Sequence, residues 1–388
     1  MNYTFSDKAA RDNTGIFAAL TRKRDELAAA GRSVFNLYIG TPDFPTPAHI
    51  VQAVSEAAAK PENFKYALTD LPELCDALIS YYRRRYGVSL AADEFTSVNG
   101  SQDGIGHLGL ALCNPEDCVL LPDPGYPVFE AGVKLAGAKI YYYKLLAQNR
   151  FLPDMSQIPE DILHRTKYML VSYPSNPCGA AAPKEMYTTL IEYAKKYNFY
   201  IVNDNAYSDI IFDGREGYSF LSIPGAKEVG IEFFSLSKSF NTTGARISFA
   251  VGNKNIIDAI KIIRSQYDFG MFLPIQYGAI AALTGETESV KAQCREYERR
   301  RDALCGGFRA LGWNVPDSAG TMFVWAPIPE TYKTSEEFWE ALIDKAGILC
   351  TPGSAFGPAG EGYVRFALVK PAEELAQIAQ LVGACGIL

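Results

Sequence analysis

The spacing of apolar and polar positions divides the chain into stretches of different rhythm. Asp7 to Gly31 carries alanines and leucines on one side at helical spacing and closes on Ala-Gly. The apolar run Val34 to Ile39 comes next, then Gly-Thr-Pro-Asp-Phe-Pro-Thr-Pro, whose prolines predict a rigid loop. Helical spacing returns over His49 to Lys60, and again after Tyr66-Ala-Leu-Thr-Asp-Leu-Pro-Glu-Leu as far as Tyr86-Gly87. From Phe95 the rhythm shortens. Strand-like runs at Phe95 to Val98, Cys118 to Leu121, Lys139 to Tyr143, Lys167 to Ser172, Phe199 to Asn203, Glu232 to Ser235 and Ile247 to Val251 are mostly separated by helical stretches, among them Gly104 to Leu112, Pro127 to Ala136 and Pro183 to Tyr197. That alternation predicts an α/β unit with a mostly parallel seven-stranded sheet covered by helices on both faces. A loop rather than a helix joins the last two runs, so one antiparallel strand is expected.

Beyond Val251 strands become sparse. Helices are predicted over Asn253 to Gln266, Ile275 to Leu283, Glu286 to Leu311 (broken near Gly306-Gly307), Ser335 to Ala346 and Ala372 to Gly383, with short strands at Thr321 to Ala326 and Tyr363 to Leu368. The expected organisation is a large domain over 45–270 and a smaller α+β domain made of 1–44 and 271–388, packed together without a flexible linker.

The length of 388 residues agrees with two domains, and 48% hydrophobic with 21% charged residues describes a globular protein. A net charge of −7 argues against nucleic acid or an anionic membrane as partner. The opening Met-Asn-Tyr-Thr-Phe-Ser-Asp-Lys has no signal-like apolar run, so a cytoplasmic location is expected. Eight scattered cysteines without a Cys-x-x-Cys pair read as reduced, and three distant histidines predict no metal site.

Gly104-Ile-Gly106-His-Leu-Gly109 matches the dinucleotide fingerprint G-x-G-x-x-G, follows a strand and opens a helix. An NAD-dependent dehydrogenase is nevertheless disfavoured. Asn99-Gly100-Ser101-Gln102-Asp103 intervenes, which puts these glycines along the helix and leaves Gly100-Ser101-Gln102 at its anion-favouring N-terminus.

More telling is the stretch Glu232 to Gly252. A buried strand ends at Ser235, Lys238 follows in a polar turn, and Arg246 leads into the next strand. An amine suited to carbonyl chemistry, hydroxyls and a guanidinium together suit a phosphorylated aldehyde, and this stretch alone reads equally as a solvated turn with scattered charge. Other strand ends add parts: Tyr126 in Asp-Pro-Gly-Tyr-Pro, Asn176 in Ser-Asn-Pro-Cys-Gly, Asp204 and Tyr207 in Asn-Asp-Asn-Ala-Tyr, and Arg365 within an apolar strand. A carboxylate can hold a ring nitrogen protonated, a phenol and an amide can bind a ring oxygen, and an arginine can grip a carboxylate bidentately. Taken singly, each also has a plain structural role open to it: Asp204 as a helix cap, the tyrosines as core aromatics, Asn176 as a turn residue, Arg365 in an ion pair.

On these motifs, with Asn36-Leu-Tyr-Ile-Gly-Thr-Pro-Asp-Phe and Asn99-Gly-Ser-Gln, the chain resembles the class I/II, fold-type I pyridoxal-phosphate aminotransferases along its whole length. It is most similar to the bacterial subgroup of LL-diaminopimelate, aspartate and alanine aminotransferases. The resemblance implies pyridoxal 5′-phosphate as cofactor, held as a Schiff base on Lys238, which then carries a proton between the substrate Cα and the cofactor. It implies Asp204 on the pyridine nitrogen, Tyr207 and Asn176 on the ring oxygen, and Tyr126 stacked on the ring. Ser101, Gln102, Ser235 and Arg246 would hold the phosphate, with Ser237 a further candidate. Arg365, the Gly40 backbone and Asn176 would bind the substrate α-carboxylate. Tyr66 matches the tyrosine that reaches the neighbouring subunit's phosphate, which implies a homodimer with composite sites. The implied reaction is transamination between an L-amino acid and a 2-oxo acid. A C–S β-lyase or another lyase on the same cofactor is the alternative, and a non-catalytic regulator the remote one. The sequence departs from the family in three places: the shortened segment after Tyr66, Cys178 where threonine is common, and Thr242-Thr-Gly-Ala around Arg246.

Overall fold

The computed structural model describes residues 16–268 and 270–388, together with Ser6 and Lys8. The first helix runs over Ile16–Ala29; the part of the predicted helix before it falls almost wholly outside the described residues. A two-residue strand, β1 (Phe35–Asn36), forms within the apolar run Val34 to Ile39. Seven strands follow: β2 (Phe95–Val98), β3 (Cys118–Asp123), β4 (Lys139–Lys144), β5 (Thr166–Ser172), β6 (Tyr200–Asn205), β7 (Gly230–Ser235) and β8 (Ser248–Gly252). They form one sheet in the order β2-β8-β7-β6-β5-β3-β4. All neighbours are parallel except β8, which runs antiparallel to both β7 and β2. The loop between the last two strands therefore does reverse the chain.

Burial explains why these runs are strands. β2, β3, β7 and β8 are buried along their whole length between helical layers, so their apolar character is continuous rather than alternating. β4, at the edge, begins and ends on exposed lysines. The glycines of the apparent dinucleotide fingerprint lie along the helix Ser101–Leu112, where Gly104 and Gly109 serve packing. A Cβ on Gly109 would stand 2.3 Å from the Gly132 carbonyl of the neighbouring helix, and one on Gly104 would meet the Phe233 ring at 2.5 Å.

The rest of the chain adds β9 (Phe323–Pro327), β10 (Ile348–Leu349), β11 (Thr351–Pro352) and β12 (Tyr363–Ala367). β11, β12 and β9 make an antiparallel sheet in that order, and β10 pairs with β1. The predicted break at Gly306-Gly307 is absent: one helix spans Glu288–Ala310. Its Gly307 lies against Ala379 of the C-terminal helix, so close helix packing outweighs the low helix propensity of the pair. The helix Leu273–Thr284 lies past residue 270, yet its Ala279, Ala282 and Leu283 are buried in the core that holds Ile50, Leu74 and Leu78. We propose that the two units meet along Glu288–Ala310, whose Val290 joins the larger core and whose Tyr297, Leu304 and Phe308 join the smaller.

Candidate active site

The order of the sheet decides where chemistry gathers. Between β3 and β5 the chain switches direction across the sheet, and the crevice beyond the strands' carboxyl ends is the natural ligand site of such a fold. Gly100–Gln102 leaves β2 at this edge, Tyr126 follows β3, Asn176 follows β5, Asp204 ends β6 and Ser235–Lys238 ends β7. Because β8 is antiparallel, its beginning reaches the same edge and brings Arg246. A cavity of about 500 Å³ opens there, lined by Gly40, Ser101, Gln102, Tyr126, Asn176, Asp204, Tyr207, Ser235, Lys238, Arg246 and Arg365. Ser237 lines it as well. Of the residues expected at the site, Tyr66 alone lies elsewhere, on the surface and 81% exposed.

Lys238 sits on the single helical turn Leu236–Ser239, capped by Ser235 Oγ, which accepts from the Ser237 N–H at 3.1 Å. Its Nζ donates to the Gly40 carbonyl at 2.6 Å. Burial, then the nearby positive charges of Arg365 and Arg246, bring the ammonium down to about 8 against the partial support of Asp204. An amine in that range is available for covalent chemistry near neutral pH.

Asp204 is shifted the other way, up to about 7, because burial disfavours its charge more than the Ala206 N–H and Lys238 favour it. Its Oδ1 is buried and accepts no hydrogen bond. A buried, unpartnered carboxylate oxygen facing a cavity calls for a donor from a ligand. At the opposite part of the site, Gly100 adopts φ 86°, and a Cβ there would stand 2.3 Å from the Arg246 guanidinium. The glycine thus lets the arginine close on the N-terminus of the helix Ser101–Leu112, whose Ser101 Oγ is buried without a partner. Arginine, orphaned hydroxyl and helix N-terminus together form a cradle for a phosphate. The donor set accordingly fits pyridoxal phosphate: amine, acid, phenol, amide and anion cradle all face one cavity.

Arg365 is 1% exposed, and among the described residues its hydrogen-bond partners are all neutral. It donates to Asn176 Oδ1 at 2.7 Å and to the Tyr38 carbonyl at 2.8 Å, and its guanidinium lies 4.0 Å from the centre of the Phe323 ring. Burial lowers it to about 10, and its Nε remains unbonded. A buried cation held only by neutral groups is arranged to receive an anion.

Sequence reasoning missed Phe17, Ile39, Thr41 and Phe323, which also line the cavity. Phe17 lies 6.0 Å from Tyr126, ring to ring, and 5.6 Å from the Arg365 guanidinium. Apolar residues on a helix or strand read as core, and nothing in their spacing separates a core face from a cavity wall. Phe323 had one indirect signal: a Cβ on Gly40 would stand 2.4 Å from its ring, which explains glycine at that position. Among the described residues no His, Cys, Asp and Glu cluster could hold a metal ion, and no helix is long and apolar enough to cross a membrane.

The family description "Aminotransferase class I and II" matches residues 32–382. The LL-diaminopimelate aminotransferase of Dehalococcoides mccartyi is 43% identical over 362 residues, covering 93% of each chain. That of Aquifex aeolicus is 41% identical over 382 residues, 98% of each chain. Among solved structures, substrate-bound BacF from Bacillus subtilis superposes with a TM-score of 0.93 at 36% identity, covering 100% of this chain and 98% of BacF. A single mutant of Thermus thermophilus aspartate aminotransferase gives 0.92 at 29% identity over 100% of both chains.

Proposed function

The chain belongs to the class I and II aminotransferases, pyridoxal 5′-phosphate enzymes that exchange an amino group between an amino acid and a 2-oxo acid, and on that premise we propose how its residues divide the work. When bound, the cofactor supplies an aldehyde for amines and a ring that withdraws electrons from the substrate α-carbon. Lys238 Nζ would hold the cofactor and would accept the proton from that α-carbon; its lowered basicity suits both tasks. Asp204 would keep the ring nitrogen protonated through Oδ1, which has no donor among the described residues. Tyr207 and Asn176 would bind the ring oxygen, and Tyr126 would stack on the ring. Ser101, Gln102, Ser235 and Arg246 hold the phosphate.

The observation that carries the substrate reading is Arg365. Fully buried, oriented by Asn176 and lacking an anion, it binds the α-carboxylate of the amino acid and of the oxo acid in turn, beside the Gly40 backbone. For the donor we propose LL-diaminopimelate, supported by the relatives that carry that name, with a 2-oxo acid as acceptor. A donor panel of LL-diaminopimelate, aspartate, alanine and the thioether amino acid cystathionine, each with and without 2-oxoglutarate, tests this. Glutamate should form only with the acceptor present and fastest from LL-diaminopimelate. Faster turnover of another donor would refute the substrate, and ammonia, pyruvate and free thiol formed from cystathionine without acceptor would speak for the lyase.

We also propose a homodimer. Phe64, Tyr66, Leu68, Tyr267 and Phe272 expose apolar surface, and Phe64 and Phe272 pack edge to face at 5.3 Å, as expected of a patch covered by a second copy that receives Tyr66 in its phosphate cradle. Light scattering at twice the chain's 42.6 kDa supports this, and a monomer refutes it.

A further inference from the structure

The helix Glu288–Ala310 supplies none of the residues that line the cavity, yet one face of it holds the Lys238 carbonyl and Asp43 of the loop that follows Gly40. Gln293 is 5% exposed. Its Nε2 donates to the Lys238 carbonyl at 2.7 Å, and its Oε1 accepts from Asn241 Nδ2 at 2.7 Å. A backbone carbonyl can only accept, so the amide has one workable orientation, and in it both polar ends are used. Asn241 holds a left-handed backbone, φ 55°, and also donates to the Pro45 carbonyl at 3.3 Å, while its own carbonyl accepts from Thr46 Oγ1 at 2.7 Å.

Seven residues along the same helix, Arg300 pairs bidentately with Asp43 at 2.7 and 2.9 Å and lies 4.5 Å from the centre of the Phe44 ring. Residues seven apart share a helix face. Between them Tyr297 packs edge-on against Phe44 at 5.2 Å. The circuit is closed: Lys238 Nζ to Gly40, the 40–46 loop to Arg300 and Asn241, Asn241 to Gln293, and Gln293 back to the Lys238 backbone.

We propose that Gln293 is a positioning residue for Lys238. With Asn241 and Arg300 it fixes the lysine turn against the loop that carries Gly40, so that Nζ is delivered to one place in the cavity. Gln293 touches neither Arg365 nor the anion cradle, so its loss acts on the placement of the amine rather than on the affinity for carboxylate substrates. The inference rests on Lys238 being the amine that holds the cofactor.

Two variants test it. Gln293→Leu keeps the side chain's bulk and removes both hydrogen bonds. Asn241→Gly keeps the left-handed backbone and removes the tie to Gln293, so it serves where Gln293→Leu fails to fold. In each, kcat should fall about tenfold while KM for the amino donor changes by less than about twofold. Capture of pyridoxal phosphate by the cofactor-free variant, followed by visible absorbance, should slow in parallel. A folded variant with wild-type kcat and capture rate, or one whose loss lies in KM alone, overturns the proposal. Wild-type protein that captures no cofactor at Lys238 would sink the reading of the cavity, and this proposal with it.

Discussion

Asp204→Asn is the most informative single change, because its effect on stability has a sign and a size that follow from the structure. The amide matches the carboxyl in shape but carries no charge. In the cofactor-free protein the buried Asp204 titrates at about 7 rather than at the ordinary 3.8, so the folded chain binds the proton more tightly than the unfolded chain between those values. Wild-type stability therefore falls as pH rises through that window, and the total, at about 1.4 kcal/mol per pH unit, is about 4 kcal/mol. The asparagine variant lacks this term. Its advantage over wild type should be small near pH 4, grow through pH 5 and 6, and level off above pH 7. Denaturant melts of both cofactor-free proteins at fixed pH values measure it. Saturating pyridoxal phosphate should stabilise wild type more than the variant, shrinking the gap, because a protonated ring nitrogen finds its counter-charge only in wild type. Turnover should drop on the order of 10³-fold. A stability gap that does not depend on pH, or that widens toward acid, would refute the argument that Asp204 is held as an unsupported buried acid.

Arg365→Lys keeps a cation but loses the planar fork, and should lower kcat/KM for amino donors by about 10²-fold, checked by steady-state kinetics; an unchanged value would remove Arg365 from substrate binding. In cofactor-free protein, amine-selective labelling of Lys238 mapped by peptide mass should rise with pH through a midpoint near 8, while exposed lysines follow at about 10.4; a common midpoint would show that Lys238 is not depressed. Gly109→Ala should cost about 1–3 kcal/mol in a denaturant melt by forcing a methyl against the Gly132 backbone, with no change in cofactor capture; lost capture with full stability would return that glycine to a binding role.

Much of this was legible in the chain itself, for physical reasons that differ by region. Strands buried on both faces, such as Cys118–Asp123 and Gly230–Ser235, leave apolar runs that are hard to misread, and ligand-facing residues such as Asp204 and Asn176 stand where those runs end. The long helix was harder. Gly306-Gly307 looks like a break until Ala379 is seen against it, and tertiary packing of that kind has no local signature. The same holds for Gln293 and Arg300, whose partners Lys238 and Asp43 lie 55 and 257 residues away. Phe17 escaped for another reason: on an amphipathic helix, a side chain that closes a cavity and one that fills a core have the same spacing.

The central claim is that Lys238 is the amine on which pyridoxal phosphate is held. Borohydride reduction of the cofactor-loaded protein, followed by digestion and peptide mass analysis, fixes the cofactor to whichever lysine carries it. A single pyridoxyl-modified peptide is expected, the one containing Lys238, with loss of the visible absorbance in Lys238→Ala before reduction. A modification on any other lysine, or none on Lys238 at full loading, would contradict it.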